Sequence, residues 1–260
     1  MIDSLYIAAT GIGAQQTRLD ALSNNVANVN TYAYKKQRAN FEDVFYRQAA
    51  AASGLSAPAA LPAPVGLGVA VSRTQTVFTP GDLAQTKNPL DLAIQGDGFF
   101  EVQLGDGSTA YTRLGSLRLD EHGELVTQDG DPLKARFVVP SDATSVVVAS
   151  NGQVSATVAG QDKPVVLGSL ELANFVNPNG LKPLGAGLYA ATDESGPAFV
   201  GTPGQQGLGT LNQGYLEASN VDLNSELVDL VLAQQAYQLN SRVIQISDDI
   251  LSTITTFRRS

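Results

Sequence analysis

The two ends of this chain carry apolar residues at coiled-coil spacing and almost no charge. Near the N-terminus, Ile2, Leu5, Ala9, Ile12, Gln16, Leu19, Ser23 and Val26 alternate by three and four, and Leu22 and Val29 widen the stripe. Between Met1 and Asn30 the only charged residues are Asp3, Arg18 and Asp20. The spacing predicts a helix over about residues 3–28, roughly 40 Å long at ~1.5 Å per residue.

The C-terminal segment carries two such stripes. One runs through Leu223, Leu227, Leu230, Gln234, Tyr237, Ser241, Ile244 and Leu251. The other runs through Leu232, Ala236, Leu239, Val243, Ile246, Ile250 and Phe257. They fall on different sides of one helix, and from Val231 to Ser247 the only charge is Arg242. A helix that is apolar on more than one side is expected to be buried on more than one side. One N-terminal helix cannot cover both stripes, so the remainder is expected to meet other subunits. The competing reading is an intramolecular helical hairpin on the side of a globular domain. Rich in Gln, Asn, Ser and Thr, these segments are weak helices in isolation.

Between the helices the pattern changes. Residues 48–66 are rich in Ala, Pro and Ser without an apolar period, which reads as an extended linker or wrapped loop. From about residue 68 to 213, short alternating runs such as LDLAIQ, GFFEVQL, RFVVP, SVVVAS and QVSATVA are separated by Gly, Asp and Pro turns. Asp106-Gly107 is a hairpin signal, and His122-Gly123 and Asp129-Gly130 are further turns. The fold class expected is α+β: N- and C-terminal α-helices forming a coiled coil and flanking an inserted, mainly antiparallel β domain. The divisions expected are an N-terminal helix over 1–32, a linker and hairpin region over 33–75, an outer β domain over 76–213 and a C-terminal helix over 214–260.

Charge narrows the function classes. The chain of 260 residues has a net charge of −9. Residues 76–213 hold 15 acids against 7 bases, whereas residues 1–47 hold 4 acids against 5 bases. The β region is therefore the solvated part. An acidic chain is a poor match for nucleic acid, which demands a basic face. With no Cys, disulfides and thiolate chemistry are excluded. The opening MIDSLYIAATGIGAQQ lacks a basic region followed by an unbroken apolar run, so a cleaved signal peptide is not expected.

Catalytic constellations are sparse. The only His, His122, sits in Asp120-Glu121-His122-Gly123-Glu124, which reads as a charged turn rather than a metal site. Gly96-Asp97-Gly98 has neither the helix nor the Lys-Ser/Thr of a phosphate loop, and reads as a tight turn before Phe99-Phe100. Lys35, Lys36 and Arg38 are too few for a nucleic-acid footprint and read as a solvated helix end or one salt-bridged contact. No catalytic residue, cofactor, metal or small-molecule ligand is expected. A β-rich peptidoglycan-acting enzyme with helical ends remains the reading from another class, and it needs a carboxylate pair that the sequence does not single out.

The cluster Asn24-Asn25-Val26-Ala27-Asn28-Val29-Asn30-Thr31 lies where the first stripe ends. Asn tolerates left-handed backbone and terminates helices. The stretch SNNVANVNTYAYKKQRANFEDVFYR resembles the N-terminal signature of the bacterial flagellar axial proteins, the rod and hook family. NPLDLAIQGDGFFEV and AYTRLGSLRLDEHGELVTQDG resemble that family's central strands, and GYLEASNVDLNSELVDLVLAQQAYQLNSRVIQISDDILSTI resembles its C-terminal helix. Within the family, Phe41-Glu42-Asp43, Tyr46, the linker and GLGVAV most resemble the distal rod branch, with proximal rod and hook siblings as alternatives.

The resemblance implies a self-assembling helical homopolymer whose terminal helices pack as a tube, with the β domain outside it. It implies other rod proteins and the hook protein at its ends, a ring bushing around it, and export by the flagellar type III apparatus into a rod that spans the periplasm. The interface residues implied are the stripes with the family motifs: Ile2, Leu5, Ile12, Leu19, Leu22, Asn24, Asn25, Val26, Asn28, Asn30, Thr31, Leu223, Leu227, Leu230, Gln234, Tyr237, Leu239, Asn240, Ile244, Ile250 and Leu251. Two departures stand out. Ala33 replaces the usual Gly, so the turn is expected to differ locally because Ala disfavours positive φ. Gln235 replaces a common basic residue, and the tail Phe257-Arg258-Arg259-Ser260 looks slightly extended.

Overall fold

The computed structural model describes residues 2–44, 46–48, 64–135, 137–158 and 163–257. Most of the Ala/Pro linker and the last three residues of the tail therefore lie outside the described residues, as does the side chain of Phe257. The chain divides into two units that are not contiguous in sequence: residues 1–27, 37–76 and 222–260 form one, and residues 28–36 and 77–221 the other.

The first unit is built on two helices, α1 (Ile2–Ala27) and α2 (Leu223–Phe257). At ~1.5 Å per residue they are roughly 39 and 52 Å long. Asp222 starts α2: its Oδ1 accepts the Asn224 N–H at 3.0 Å and its Oδ2 accepts the Ser225 hydroxyl at 2.8 Å. Such a cap contributes about 1 kcal/mol by satisfying an orphan first-turn donor. The helices pack on one another and run antiparallel, because Arg18 pairs with Asp229, Gly11 abuts Asn240 and Asn25 meets Glu226.

A hairpin completes this unit. Strand Gln37–Asp43 pairs antiparallel with Val69–Thr76, from Gln37 opposite Thr76 to Asp43 opposite Val69, with a bulge at Asn40/Phe41. Tyr46–Gln48 continues against Pro64–Gly66. The hairpin is fastened to α1 by Thr10, whose hydroxyl accepts the Val69 N–H at 3.4 Å. Neither helix is long and apolar enough to cross a membrane.

The second unit is β, and every strand pairing among the described residues is antiparallel. Its largest sheet orders the strands Lys182–Gly185, Leu188–Ala190, Thr109–Thr112 and Phe100–Gln103. A three-stranded sheet joins Ala143–Val148, Gln153–Val158 and Val165–Ser169. Leu92–Gln95 pairs with Thr210–Gln213, and Leu83–Gln85 with Tyr215–Glu217. Inward-facing Leu92, Ile94, Phe100, Val102, Val154, Leu172 and Leu211 make the main core. Beside it Phe78, Phe99, Tyr111, Phe175 and Tyr189 meet edge to face, with centroids 4.8–6.3 Å apart, the geometry that ring quadrupoles favour.

Most of the alternating runs form strands, but residues 137–140 of the run RFVVP do not. Phe137 and Val139 are buried and Val138 is exposed, yet the segment is held mainly by the Val139 N–H donating to Gly123. Alternation reports which side of an extended chain is buried and does not require a ladder partner. His122 sits in the turn before Leu125–Val126, where Asp120 Oδ1 accepts the His122 and Glu124 N–H groups. Residues 214–221, expected at the start of the C-terminal helix, belong to this β unit.

Candidate assembly surface

The helical unit covers some faces of its helices and leaves others open. On α1, Gly11, Arg18 and Asn25 recur every seven residues and face α2, with Ala8 and Leu22 buried on the same side. Ala14 and Ala21 are buried on the adjoining side, continuing from Thr10 beneath the hairpin. These residues are mostly small, which lets the backbones approach closely: a Cβ added to Gly11 would lie 2.9 Å from the Asn240 amide.

The expected stripe of α1 is the side left over. Leu5, Ile12, Leu19 and Val26 are half-buried, and Ala9, Gln16 and Ser23 are exposed. Ile2 is in the helix, but its side chain lies outside the described residues. Leu22 and Asn25 differ from the rest of the interface set because they are buried within the chain itself.

On α2, Glu226, Ala233 and Ser247 are buried, and Leu230, Asn240, Ile244 and Leu251 are half-buried. The first C-terminal stripe therefore splits, because Leu223, Leu227, Gln234 and Tyr237 stay exposed. The second stripe is open almost throughout. Leu239 is 62% exposed and Ile246 52%, with Leu232, Val243, Ile250 and Ile254 exposed beside them. The intramolecular hairpin forms, and it leaves an apolar ridge several turns long that no other part of the chain covers among the described residues. Monomeric proteins seldom leave apolar patches this continuous, and such patches mark association surfaces.

The Asn-rich motif separates into two roles. Asn25 acts within the helical unit. Its Nδ2 donates to the Gln37 carbonyl at 2.9 Å and to Glu226 Oε2 at 3.1 Å, and its Oδ1 accepts the Gln37 N–H at 2.8 Å. One side chain thus fixes the start of the hairpin and the first turn of α2. Asn24 is exposed on α1. Asn28, Asn30 and Thr31 belong to the β unit and form a turn, in which the Thr31 N–H and hydroxyl both donate to Asn28.

Ala33 closes that turn at φ +56°, a left-handed conformation adopted in spite of its Cβ. The Ala33 N–H donates to the Glu217 carbonyl at 2.8 Å, and this bond and the burial around it hold a conformation the residue disfavours. Ala33→Gly should therefore stabilise the β unit by about 0.5–1 kcal/mol, the left-handed penalty less the extra entropy Gly loses on folding. A rise in its thermal midpoint checks this, and a fall would remove strain from the account.

The β unit contains a charged cluster that periodicity did not reveal. Glu217 is buried, and its Oε1 accepts Lys35 Nζ at 2.6 Å and the Gly81 N–H at 2.8 Å. Its Oε2 accepts Arg113 Nε at 2.8 Å. Lys35 also donates to the Thr79 carbonyl, and Arg113 donates to the carbonyls of Gly96 (2.7 Å) and Gly98 (3.1 Å). Gly96 and Gly98 have φ of +110° and +140°, conformations that turn these carbonyls toward the guanidinium at low steric cost. The salt-bridged-contact reading of the basic cluster fits Lys35. The available signal was a lone charge within an apolar run, as Arg113 is in AYTRL.

Two cations share one carboxylate here. Burial pushes the Glu217 carboxyl up, but Arg113 and Lys35 outweigh it and hold the group below its usual 4.5. Burial and the neighbouring Arg113 lower Lys35 to about 8, against the pull of Glu217. The Glu217 contribution is present above pH 4.5 and is lost as pH falls through the lower folded value. Acidification below pH 4.5 should therefore lower the melting temperature more in the wild type than in Glu217→Gln, and parallel curves would refute this. For Lys35 the unfolded chain binds more protons between pH 8 and 10.5, so its contribution to stability rises with pH across that window.

Comparison with known proteins finds flagellar family models matching three stretches of the chain. Residues 5–35 match the model for flagella basal body rod proteins, and residues 93–156 match the flagellar hook protein FlgE/F/G D1 domain. Residues 212–257 match the flagellar basal body rod FlgEFG protein C-terminal model. The flagellar basal-body rod protein FlgG of Buchnera aphidicola subsp. Acyrthosiphon pisum is 45% identical, covering 98% of this chain and 99% of its own. That of Bacillus subtilis is 38% identical over the whole of both chains. The flagellar hook protein FlgE of Salmonella typhimurium is 25% identical in an alignment stretched to 413 residues. Full-length similarity at this level, on a chain with an open apolar ridge on its terminal helix, shows that it belongs to the flagellar basal-body rod protein family and is most like FlgG.

Proposed function

We propose that this chain is the structural subunit of the flagellar distal rod and performs no catalysis. The observation that carries the reading is the ridge Leu232, Leu239, Val243, Ile246, Ile250 and Ile254, exposed in the single chain on a helix of the rod family. Burying each Leu, Ile or Val contributes roughly 1.5–3 kcal/mol relative to leaving it in water. Six such positions per subunit supply a driving force that repeats at every contact. Head-to-tail contacts that do not close on themselves build helical polymers.

In this reading the interface comprises the open stripe of α1 (Leu5, Ile12, Leu19, Val26) and the exposed parts of both α2 stripes. The 76–213 region faces outward, toward the ring bushing. The polymer spans the periplasm, carries motor torque to the hook, contacts other rod proteins at its ends, and receives subunits through the type III export apparatus. Stiffness under torque requires close-packed contacts with few voids, as in protein interiors. Electron microscopy of the purified chain tests the reading, with straight tubes as the expected product. A chain that stays monomeric at high concentration, or that hydrolyses peptidoglycan, would overturn it.

A further inference from the structure

The chain passes between its two units four times, after residues 27, 36, 76 and 221. On the β unit, the segments next to three of those passages are bonded to one another. Lys36 donates its N–H to Asn220 Oδ1 at 2.8 Å, and its carbonyl accepts the Val77 N–H at 2.9 Å. Asn220 donates from Nδ2 to the Val77 carbonyl at 2.8 Å and to Thr79, and its N–H donates to the Tyr34 carbonyl. Three residues earlier, Glu217 holds Lys35 and Gly81 through its carboxylate and Ala33 through its carbonyl. One short stretch, 217–220, thus grips both other exits.

We propose that Glu217 and Asn220 form a clasp that joins the three exit segments into one body, so that force arriving along any of them is shared by all. The proposal rests on the rod reading, in which the β unit is held by these segments while the polymer turns. A free extended exit rotates about two soft torsions per residue. Exits bonded to each other lose that freedom. Hydrogen bonds suit this task because they weaken steeply on misalignment, whereas apolar contacts can slide. This gives a reason for a buried charged cluster, since well-packed apolar residues are often no less stabilising than a buried ion pair.

Hydrogen exchange on the full-length chain tests the clasp, with Asn220→Ala as the mild variant and Glu217→Gln as the strong one. In Asn220→Ala the amides of Lys36, Val77 and Asn220 should exchange at least tenfold faster, while those of Val102 and Ala110 in the core strands stay within twofold of wild type. In Glu217→Gln the amides of Ala33 and Gly81 should join them. Exit amides that do not accelerate, or core amides that accelerate equally, overturn the proposal, because the cluster would then be inert or merely a general stabiliser. Averaged images of Asn220→Ala polymers should show intact axial helices with a blurred β unit, and β density as sharp as in wild type also counts against it. If wild-type protein forms no polymer, the rod reading fails, while the exchange result still decides whether the exits are clasped.

Discussion

Leu239→Asp and Ile246→Asp should abolish polymerisation while leaving the folded chain intact. Both side chains are more than half exposed on α2, so a carboxylate at either position stays solvated in the free subunit. The thermal midpoint should then shift by no more than about 0.5 kcal/mol equivalent, as for other surface changes. In the polymer the same carboxylate enters an apolar contact, where an unpaired ionised group costs several kcal/mol. A loss of about 3 kcal/mol per contact raises the concentration needed for assembly by more than 100-fold, at ~1.4 kcal/mol per tenfold. Val176→Asp serves as the control, since Val176 is 94% exposed but lies in the β unit. Tubes forming from Leu239→Asp at the wild-type concentration would remove the ridge from the interface. Leu230 is a poorer choice, because it is half-covered by its own chain and its replacement would confuse folding with assembly.

Gly115→Ala should unfold the β unit. A Cβ at this position would lie 1.6 Å from the Leu92 carbonyl oxygen and 2.7 Å from its carbon, deep inside van der Waals contact. Both obstacles are backbone, so no rotamer change relieves them. The strands are also bonded there, with the Leu92 N–H donating to the Gly115 carbonyl at 2.9 Å and Asp91 bridging to Ser116. Separating them withdraws Leu92 and Ile94 from the main core. The cost falls in the exceptional class, above about 4 kcal/mol. Gly105→Ala, which meets nothing within 4 Å, should stay within about 0.5 kcal/mol of wild type. Near-ultraviolet circular dichroism and limited proteolysis of residues 77–221 read the difference. A Gly115→Ala protein that melts like the wild type would mean the two strands can part without loss.

Secondary structure was largely legible because it follows local periods. The three-four spacing of Ile12, Leu19 and Val26, and of Leu239, Val243 and Ile246, predicts two helices, and both form. Alternation broken by Asp106-Gly107 and His122-Gly123 predicts antiparallel strands, and antiparallel pairing follows. The short strands Leu83–Gln85 and Tyr215–Glu217 had no period long enough to read, and they exist because they pair with each other. The buried charged cluster was hidden for a related reason. Lys35, Arg113 and Glu217 stand far apart in the chain, and a buried ion pair leaves no local signature beyond a charge where the pattern wants none.

The sequence by itself determined that the ends are helices with more apolar surface than one partner can cover, that the acidic middle is β, and that the chain is of the rod and hook kind. Periodicity suffices for the first two because it records how often a residue turns away from water, and the third rests on motif resemblance alone. Only the tertiary structure decided which neighbour each face receives. The small face of Ala8, Gly11, Ala14 and Ala21 is satisfied by the chain's own α2 and hairpin, because small side chains permit close backbone approach. The bulky ridge of Leu239, Ile246 and Ile250 stays exposed in the single chain, and the proposed rod reading assigns it to other subunits. Periodicity cannot separate those outcomes, because a buried face looks the same in sequence whether its partner belongs to the same chain or to the next.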